Sequence, residues 1–496
     1  MATPLDQQPH HENQFRRQSS SSVVVVVVPF PDQGHMNQLQ EFSRVLSSYD
    51  IPVHYVDSTP HHSQVKSRAS IPLHHLTKIQ FHDFPAPPFP SSPPNQRVTK
   101  TEFLKSRLSF LKAITRLRKP ISALFRSLSP TARRLVVVYD TLMTSVVKDV
   151  FSLPNAEAYS FDSASALSCF AFTCDFLRKN ENFPVKNLPS GVSCFPYLFR
   201  KFVADQMLLS KISKAGSLFN SCSAIEGPFL QEILANDKVF GTKKTWAVGP
   251  LLQSTKFKEL RDQDKFLFEL LDKQERNSVL YISLGITTTL SDEDIKELAH
   301  GLELSSVKFL WVLKDADETN MLSNEEAGRP RLPDGFEERM NGMGIVVREC
   351  VNQMEILGHP SIGGFMSHCG WNSCMESISM GVPIAAWPIH SDQPINAVLI
   401  TEVLKVGVAV MEWRQRDELV TSSMITEAVR KLMASGEGDE IRKRTEAMSK
   451  AVNSSVSKGG DSRLEWDSFV AHITREGFGL TLTNLLSQMQ NNKTRE

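Results

Sequence analysis

The chain has little of what marks a membrane, secreted or nucleic-acid-binding protein. Its longest purely aliphatic run is Val23–Val28, far short of the ~20 residues needed to span a bilayer. Pro29 and Pro31 follow directly, so the run is not the core of a secretory signal, which needs ~7–15 apolar residues and a small-residue cleavage site. Seven cysteines in 496 residues are no disulfide framework. The spacing of Cys169/Cys174 and Cys369/Cys374 is not that of a zinc knuckle. Charge of one sign is missing as well: 55 Lys plus Arg balance 55 Asp plus Glu. That argues against a nucleic-acid binder or a polybasic membrane-surface protein. The expectation is a protein of a reducing compartment, the cytoplasm, with no membrane span and no nucleic-acid partner.

What is present is a double α/β pattern. Residues 1–22 are polar, end in a serine run and read as a disordered leader. Six valines from Val23 fit a strand buried on both faces, as in a parallel sheet. After the loop Pro29–His35, apolar residues at Leu39, Phe42, Val45 and Leu46 have helical spacing, and Val53–Val56 reads as the next strand. This β-loop-α-β opening is the unit of a doubly wound domain. A proline-rich loop spans residues 84–94, another strand is expected over Leu135–Tyr139, and the first half closes near Leu252. Residues 253–276 are charged and read as an inter-domain linker.

A second series follows over residues 277–460. Strands are expected at Ser278–Leu284, Lys308–Leu313, Ile345–Arg348, Gly364–Ser367 and Val382–Trp387. Helices are expected at Met354–Leu357 and Asn372–Met380, with a capping box at Ser291/Asp294. A C-terminal helix over residues 461–475 is expected to return to the first half, leaving a tail over 476–496.

Ligands in such sheets sit beyond the carboxyl ends of the strands, and two groups of residues stand there. In the second half, the turn His368-Cys369-Gly370 leads into a helix whose N-terminus offers free N–H groups and positive potential to an anion. His368, Asn372 and Ser373 are donors suited to a diphosphate. Glu376, one turn on, suits ribose hydroxyls, and the adjacent Asp392 and Gln393 suit the vicinal hydroxyls of a sugar. In the first half, His35 ends one strand loop and Asp140 ends another strand of the same sheet. An Asp on one imidazole nitrogen fixes the tautomer and raises the basicity of the other. The alternative is that His35 merely caps its helix while Asp140 holds a backbone turn.

The stretch Cys350–Gln393 resembles the donor signature of plant UDP-sugar-dependent glycosyltransferases. The closest agreement is His368-Cys369-Gly370-Trp371-Asn372-Ser373 with Glu376, Gly381-Val382-Pro383, Pro388 and Asp392-Gln393. The resemblance extends over residues 23–475. It implies a GT-B fold, two facing Rossmann-like halves with the active site in the cleft. It also implies that the first half binds the acceptor and the second the UDP-sugar. By the same resemblance His368, Asn372 and Ser373 hold the diphosphate, Gln353 and Glu376 the ribose, and Trp371, Asp392 and Gln393 face the sugar. His35 and Asp140 fall on the family's catalytic pair, implying inverting, metal-independent transfer with a UDP-sugar as co-substrate and no cofactor. Cys350 and Val351 stand where the family carries tryptophan and alanine against the uracil. An aromatic stack on a base is worth ~1–3 kcal/mol, so weaker base stacking is implied. Ile286 replaces a serine or threonine near the phosphates, with Thr287 as its substitute.

Within that family, Asn37-Gln38-Leu39, Ile51–Val56, Tyr139–Met143 and Gly364–Ser367 through Trp387–Pro394 look most like zeatin O-glycosyltransferases. The implied acceptor is a cytokinin such as zeatin and the implied donor UDP-glucose, with the enzyme itself expected to be a monomer. A flavonoid or terpenoid hydroxyl, UDP-xylose as donor, and a non-catalytic nucleotide-sugar binder stay open. Phe161, Phe170, Phe172 and Phe176 read as core or acceptor pocket, and His54, His61, His62, His74, His75 and His82 as solvent-facing rather than metal ligands.

Overall fold

A computed structural model describes residues 22–58, 78–84, 109–177, 185, 188–236, 244–252, 262–285, 290–313, 331–349 and 351–476. Two parallel sheets organise it. The first contains β1 (Val23–Val28), β2 (Val53–Asp57), β3 (Ile79–Asp83), β4 (Arg134–Asp140), β5 (Ala156–Asp162), β6 (Gly216–Phe219) and β7 (Thr245–Ala247), in the order β3-β2-β1-β4-β5-β6-β7. Its helices include α1 (Gln33–Ser47), α2 (Ala166–Leu177) and α3 (Ser223–Ala235).

The second contains β8 (Val279–Ser283), β9 (Lys308–Val312), β10 (Gly344–Val347), β11 (Ile362–Ser367), β12 (Ile384–Ala386) and β13 (Gly407–Ala409), in the order β10-β9-β8-β11-β12-β13. With it run α4 (Asp292–Ser305), α5 (Gln353–Leu357), α6 (Trp371–Met380) and α7 (Gln393–Val398). In both sheets the order reverses beside the first strand, at β1/β4 and at β8/β11. Such a switch point opens a crevice at the strands' carboxyl ends.

The valine run shows why β1 needs no polar position. Val24, Val26 and Val28 enter one core with Phe30 and Val137, while Val23, Val25 and Val27 enter another with Leu39 and Phe42. A central parallel strand is covered on both faces, so alternation disappears. The Ser291/Asp294 capping box forms, and Gly381 takes the left-handed C-cap at φ 76°.

The strands β3, β5, β6, β7 and β13 are not among those expected from the sequence. All but β5 have five residues or fewer, and in β5 Glu157, Ser160 and Asp162 interrupt the apolar pattern. The segment read as a linker holds a helix over Asp262–Leu271. His61, His62, His74 and His75 lie outside the described residues. His54 and His82 face solvent only in part. Both are half-buried, with Nδ1 of one 2.8 Å from Nε2 of the other.

One core joins the halves: Leu167, Phe170 and Cys222 pack with Trp371, Cys374 and Ile395. Helix α8 (Asp461–Thr474) crosses back, inserting Trp466, Phe469 and Ile473 among Phe42, Tyr159 and Trp246 of the first half. Its Trp466 indole N–H donates to the Val248 carbonyl at 2.9 Å. No helix among the described residues is long and apolar enough to cross a membrane.

Candidate active site

Helix α1 is capped by Asp32, whose carboxylate accepts from the Gly34 N–H at 2.9 Å. The cap is therefore Asp32, and His35 is left free for chemistry. Its Nδ1 lies 2.7 Å from Oδ2 of Asp140, the last residue of β4. Asp140 also holds its own turn, accepting from the Leu142 N–H at 2.9 Å, and accepts from the Ser163 hydroxyl at 2.7 Å. The two readings of these residues thus merge, because one carboxylate serves the turn and the imidazole together. Burial by itself would push His35 down. The charge and hydrogen bond of Asp140, with Asp32 and Asp392 farther out, outweigh it and raise His35 from 6.5 to about 9. The Asp140 side chain is 2% exposed and that of His35 28%, so the imidazole keeps an open edge.

Across the cleft, α6 begins after Gly370. The His368 ring lies between Gly285 and Gly370: an added Cβ would stand 2.9 Å from the ring at the first and 2.5 Å at the second. Gly285 also has φ 89°, a conformation other residues adopt only at a cost. Burial lowers His368 from 6.5 to about 4, and its Nδ1 is buried without a hydrogen bond among the described residues. A neutral imidazole with an unsatisfied nitrogen, at the head of a helix, fits an anionic ligand.

Gln353, Ser373 and Glu376 come together. The Gln353 amide donates to Glu376 Oε2 at 2.7 Å and to Ser373 Oγ at 3.1 Å, while Tyr281 donates to Gln353 Oε1 at 3.4 Å. Burial raises Glu376 to about 7, partly opposed by that amide.

Other expected ligand-facing groups are committed to the protein itself. The Trp371 indole is 4% exposed and donates to the Asn220 carbonyl at 2.8 Å. Its main chain, first in α6, is what remains for a sugar. Asn372 accepts from Gln38 at 2.7 Å and donates to the Gly34 carbonyl at 2.9 Å. Gln393 Oε1 holds its own loop, accepting from the Ile389 and His390 N–H groups at 2.9 Å each. Asp392 accepts from Asn396 at 3.0 Å, and burial raises its carboxyl.

Val351 is half-buried against the inter-domain core. Cys350, Ile286, Thr287 and residues 85–94 lie outside the described residues. Phe161 and Phe170 are core, Phe172 is half-buried 4.8 Å from the Phe195 ring, and the Phe176 side chain is outside the description. Among the described residues no group of three or more His, Cys, Asp and Glu is placed to hold a metal ion.

Three residues at the heart of the site are not among the site residues expected from the sequence. Ser163 orients Asp140, and Gln38 reaches Asn372. Asn396 accepts from Ser165 at 2.7 Å and Ser168 at 3.2 Å and donates to the Cys369 carbonyl at 3.0 Å. The one local signal was polarity at a core position of an amphipathic helix, and Gln38 carries it.

Known proteins agree with this architecture. Residues 21–253 match the glycosyltransferase N-terminal domain family, and residues 255–438 match the UDP-glucoronosyl and UDP-glucosyl transferase family. A zeatin O-glucosyltransferase of Phaseolus lunatus is 45% identical over 456 residues, covering 90% of this chain and 96% of its own. A zeatin O-xylosyltransferase of Phaseolus vulgaris is 44% identical over 454 residues, covering 90% of this chain and 97% of its own. The structure of a Polygonum tinctorium UDP-glucosyltransferase capable of glucosylating indoxyl, in complex with 3,4-dichloroaniline, superposes with a TM-score of 0.74 at 26% identity. That match covers 92% of this chain and 99% of the other. Two facing parallel-sheet halves, a His–Asp pair opposite a helix head and this degree of identity identify the chain as a GT-B enzyme of the plant UDP-glycosyltransferase family.

Proposed function

We propose that the enzyme transfers glucose from UDP-glucose, with inversion, to a hydroxyl of a cytokinin such as zeatin. The observation that carries the chemistry is the His35–Asp140 pair, open on one edge and opposite the head of α6. The acceptor class rests on 45% identity to a zeatin O-glucosyltransferase over nearly its whole length. Similar identity to a zeatin O-xylosyltransferase keeps UDP-xylose as the second donor to test. Residues 23–252 would carry the acceptor and 277–460 the UDP-sugar, in a monomeric cytoplasmic enzyme.

His35 Nε2 takes the acceptor's hydroxyl proton while Nδ1–H stays on Asp140. The oxygen attacks the anomeric carbon from the face opposite UDP. The carbon–oxygen bond to the β-phosphate breaks, and its electron pair leaves on UDP. His368 and the N–H groups opening α6 take up the developing charge. Ser373 and Asn372 lie beside them, Gln353 and Glu376 meet the ribose, and Asp392, Gln393 Nε2 and the Trp371 main chain meet the sugar. By the resemblance alone, Cys350 and Val351 are assigned to the uracil and Thr287 to the phosphates. These ligand roles rest on the family resemblance and on the chemistry of the side chains.

The test is product formation by mass spectrometry, offering UDP-glucose or UDP-xylose with trans-zeatin, cis-zeatin, a flavonol and a terpenoid alcohol. A gain of one hexose on zeatin is expected. His35→Ala should lower turnover by roughly 10²–10⁴-fold, with UDP affinity within a few-fold of wild type. Equal loss of both would make His35 structural, and transfer only to the flavonol or terpenoid would overturn the acceptor.

A further inference from the structure

We propose that Gln38 is a positioning residue for sugar transfer, a clamp across the cleft that ties the head of α6 to the loop holding Asp140. The proposal rests on the transfer reading above.

Gln38 stands one helical turn after His35 on α1 and is 2% exposed. Its Nε2 donates in two directions, to the Ser163 carbonyl at 2.8 Å and to Asn372 Oδ1 at 2.7 Å. The Ser163 hydroxyl donates to Asp140 Oδ2, the same oxygen that faces His35 Nδ1. Asn372 closes the circuit by donating to the carbonyl of Gly34, next to His35, at 2.9 Å. An unbroken path thus runs Asn372–Gln38–Ser163–Asp140–His35 and returns through Gly34. It links α6, expected to hold the donor, to the helix that carries the base.

The amide orientation is fixed by chemistry. Both partners of Nε2 are carbonyl oxygens, so only an NH₂ group satisfies them. The other end of the side chain, Oε1, is buried and takes no hydrogen bond among the described residues. A buried orphan acceptor costs stability. Of the other buried positions of α1, Leu39, Phe42 and Leu46 are apolar, while Gln40, Glu41, Ser43 and Ser47 are polar. An apolar side chain at 38 would remove that orphan but take the donor from the Ser163 carbonyl and Asn372 Oδ1, so what Gln38 adds is direction across the cleft. In-line transfer needs that property, since the base and the leaving group stand on different halves and a misplacement of about 1 Å costs ~10²-fold in rate.

The experiment pairs steady-state kinetics, calorimetry with UDP and hydrogen exchange on wild type, Gln38→Leu, Gln38→Glu, Asn372→Ala and Gln38→Leu/Asn372→Ala. Gln38→Leu should lower kcat roughly 10–100-fold while Kd for UDP stays within a few-fold and the protein remains folded at the assay temperature. Gln38→Glu, isosteric but unable to donate, should lose at least as much. The double variant should lose little more than the worse single one, because the two residues act as one unit. In wild type, UDP should slow amide exchange in α1 as well as in α6. In Gln38→Leu it should slow α6 alone.

Full activity of Gln38→Glu, a loss of UDP affinity matching the loss of kcat, or additive effects in the double variant would overturn the clamp. If no acceptor is glycosylated by wild type, the transfer reading fails. The exchange arm then still decides: protection of α1 by UDP that depends on Gln38 supports the clamp, and its absence in wild type overturns it.

Discussion

At the residue scale, the strongest statement concerns His35. Its ordinary value of 6.5 is raised to about 9 because the Asp140 partnership outweighs burial. A group raised in the folded state stabilises it fully below the unfolded value and loses that contribution as pH rises through the folded one. The window here is therefore 6.5 to about 9. The neutral base is the minor form at neutral pH, so kcat/KM should climb with pH toward about 9. Asp140→Asn should move that limb down, since burial then faces only the more distant charges of Asp32 and Asp392. It should also lower kcat by ~10²-fold or more. The pH–rate profile checks both, and the variant's stability deficit should be larger at pH 6 than at pH 9.5. The identities of His35 and Asp140 were legible because Asp140 ends β4 and His35 opens the helix after β1. The value of about 9 was not: it depends on a 2.7 Å contact between residues 105 positions apart.

At the element scale, the head of α6 is the informative piece. Its sequence announces a helix, with Gly381 as left-handed cap, and the structure agrees. Its sequence does not announce that Gly370 exists to make room. Gly370 has ordinary extended torsions, φ −58° and ψ 143°, so alanine would meet no backbone strain. A Cβ would nonetheless stand 2.5 Å from His368 Nε2. Gly370→Ala should displace the imidazole and weaken UDP binding by roughly 1–3 kcal/mol, read by calorimetry. Gly436→Ala, with nothing within 4 Å of the new Cβ, is the control and should bind UDP normally. The side chains of Trp371 and Gln393 show the opposite failure of local reading. Both look like ligand groups in the motif, and both spend their main polar atom on backbone partners.

At the scale of the whole molecule, two features set the relation of the halves. One is the shared core around Trp371, Phe170 and Cys222. The other is α8, which begins after the second half yet buries Trp466, Phe469 and Ile473 in the first. Arg134, fully buried, donates to the His472 carbonyl at 3.3 Å and the Ile473 carbonyl at 3.2 Å. Burying three large apolar side chains contributes on the order of 5 kcal/mol, a large share of a domain's net 5–15. Ending the chain after Gly460 should therefore unfold the first half well below the melting temperature of the intact protein while the second half holds longer. Limited proteolysis along a thermal ramp would show this as early cleavage between residues 109 and 252. Equal cleavage of both halves would mean that α8 supports the whole molecule.

Periodicity, helix-end chemistry and residue type suffice for the α/β halves, the two strand-end chemistries and the family resemblance. Each of these is written within a few tens of residues, where local sterics and hydrogen bonding decide. Which groups are free and which are taken came only with the folded chain. Asn372 is engaged by Gln38 and Gly34 from the other half, and Ser163 turns out to hold Asp140. Burial lowers His368 to about 4 and raises Glu376 to about 7. Those outcomes depend on distances and solvent exclusion between segments separated by as many as 338 positions, and no local pattern encodes them.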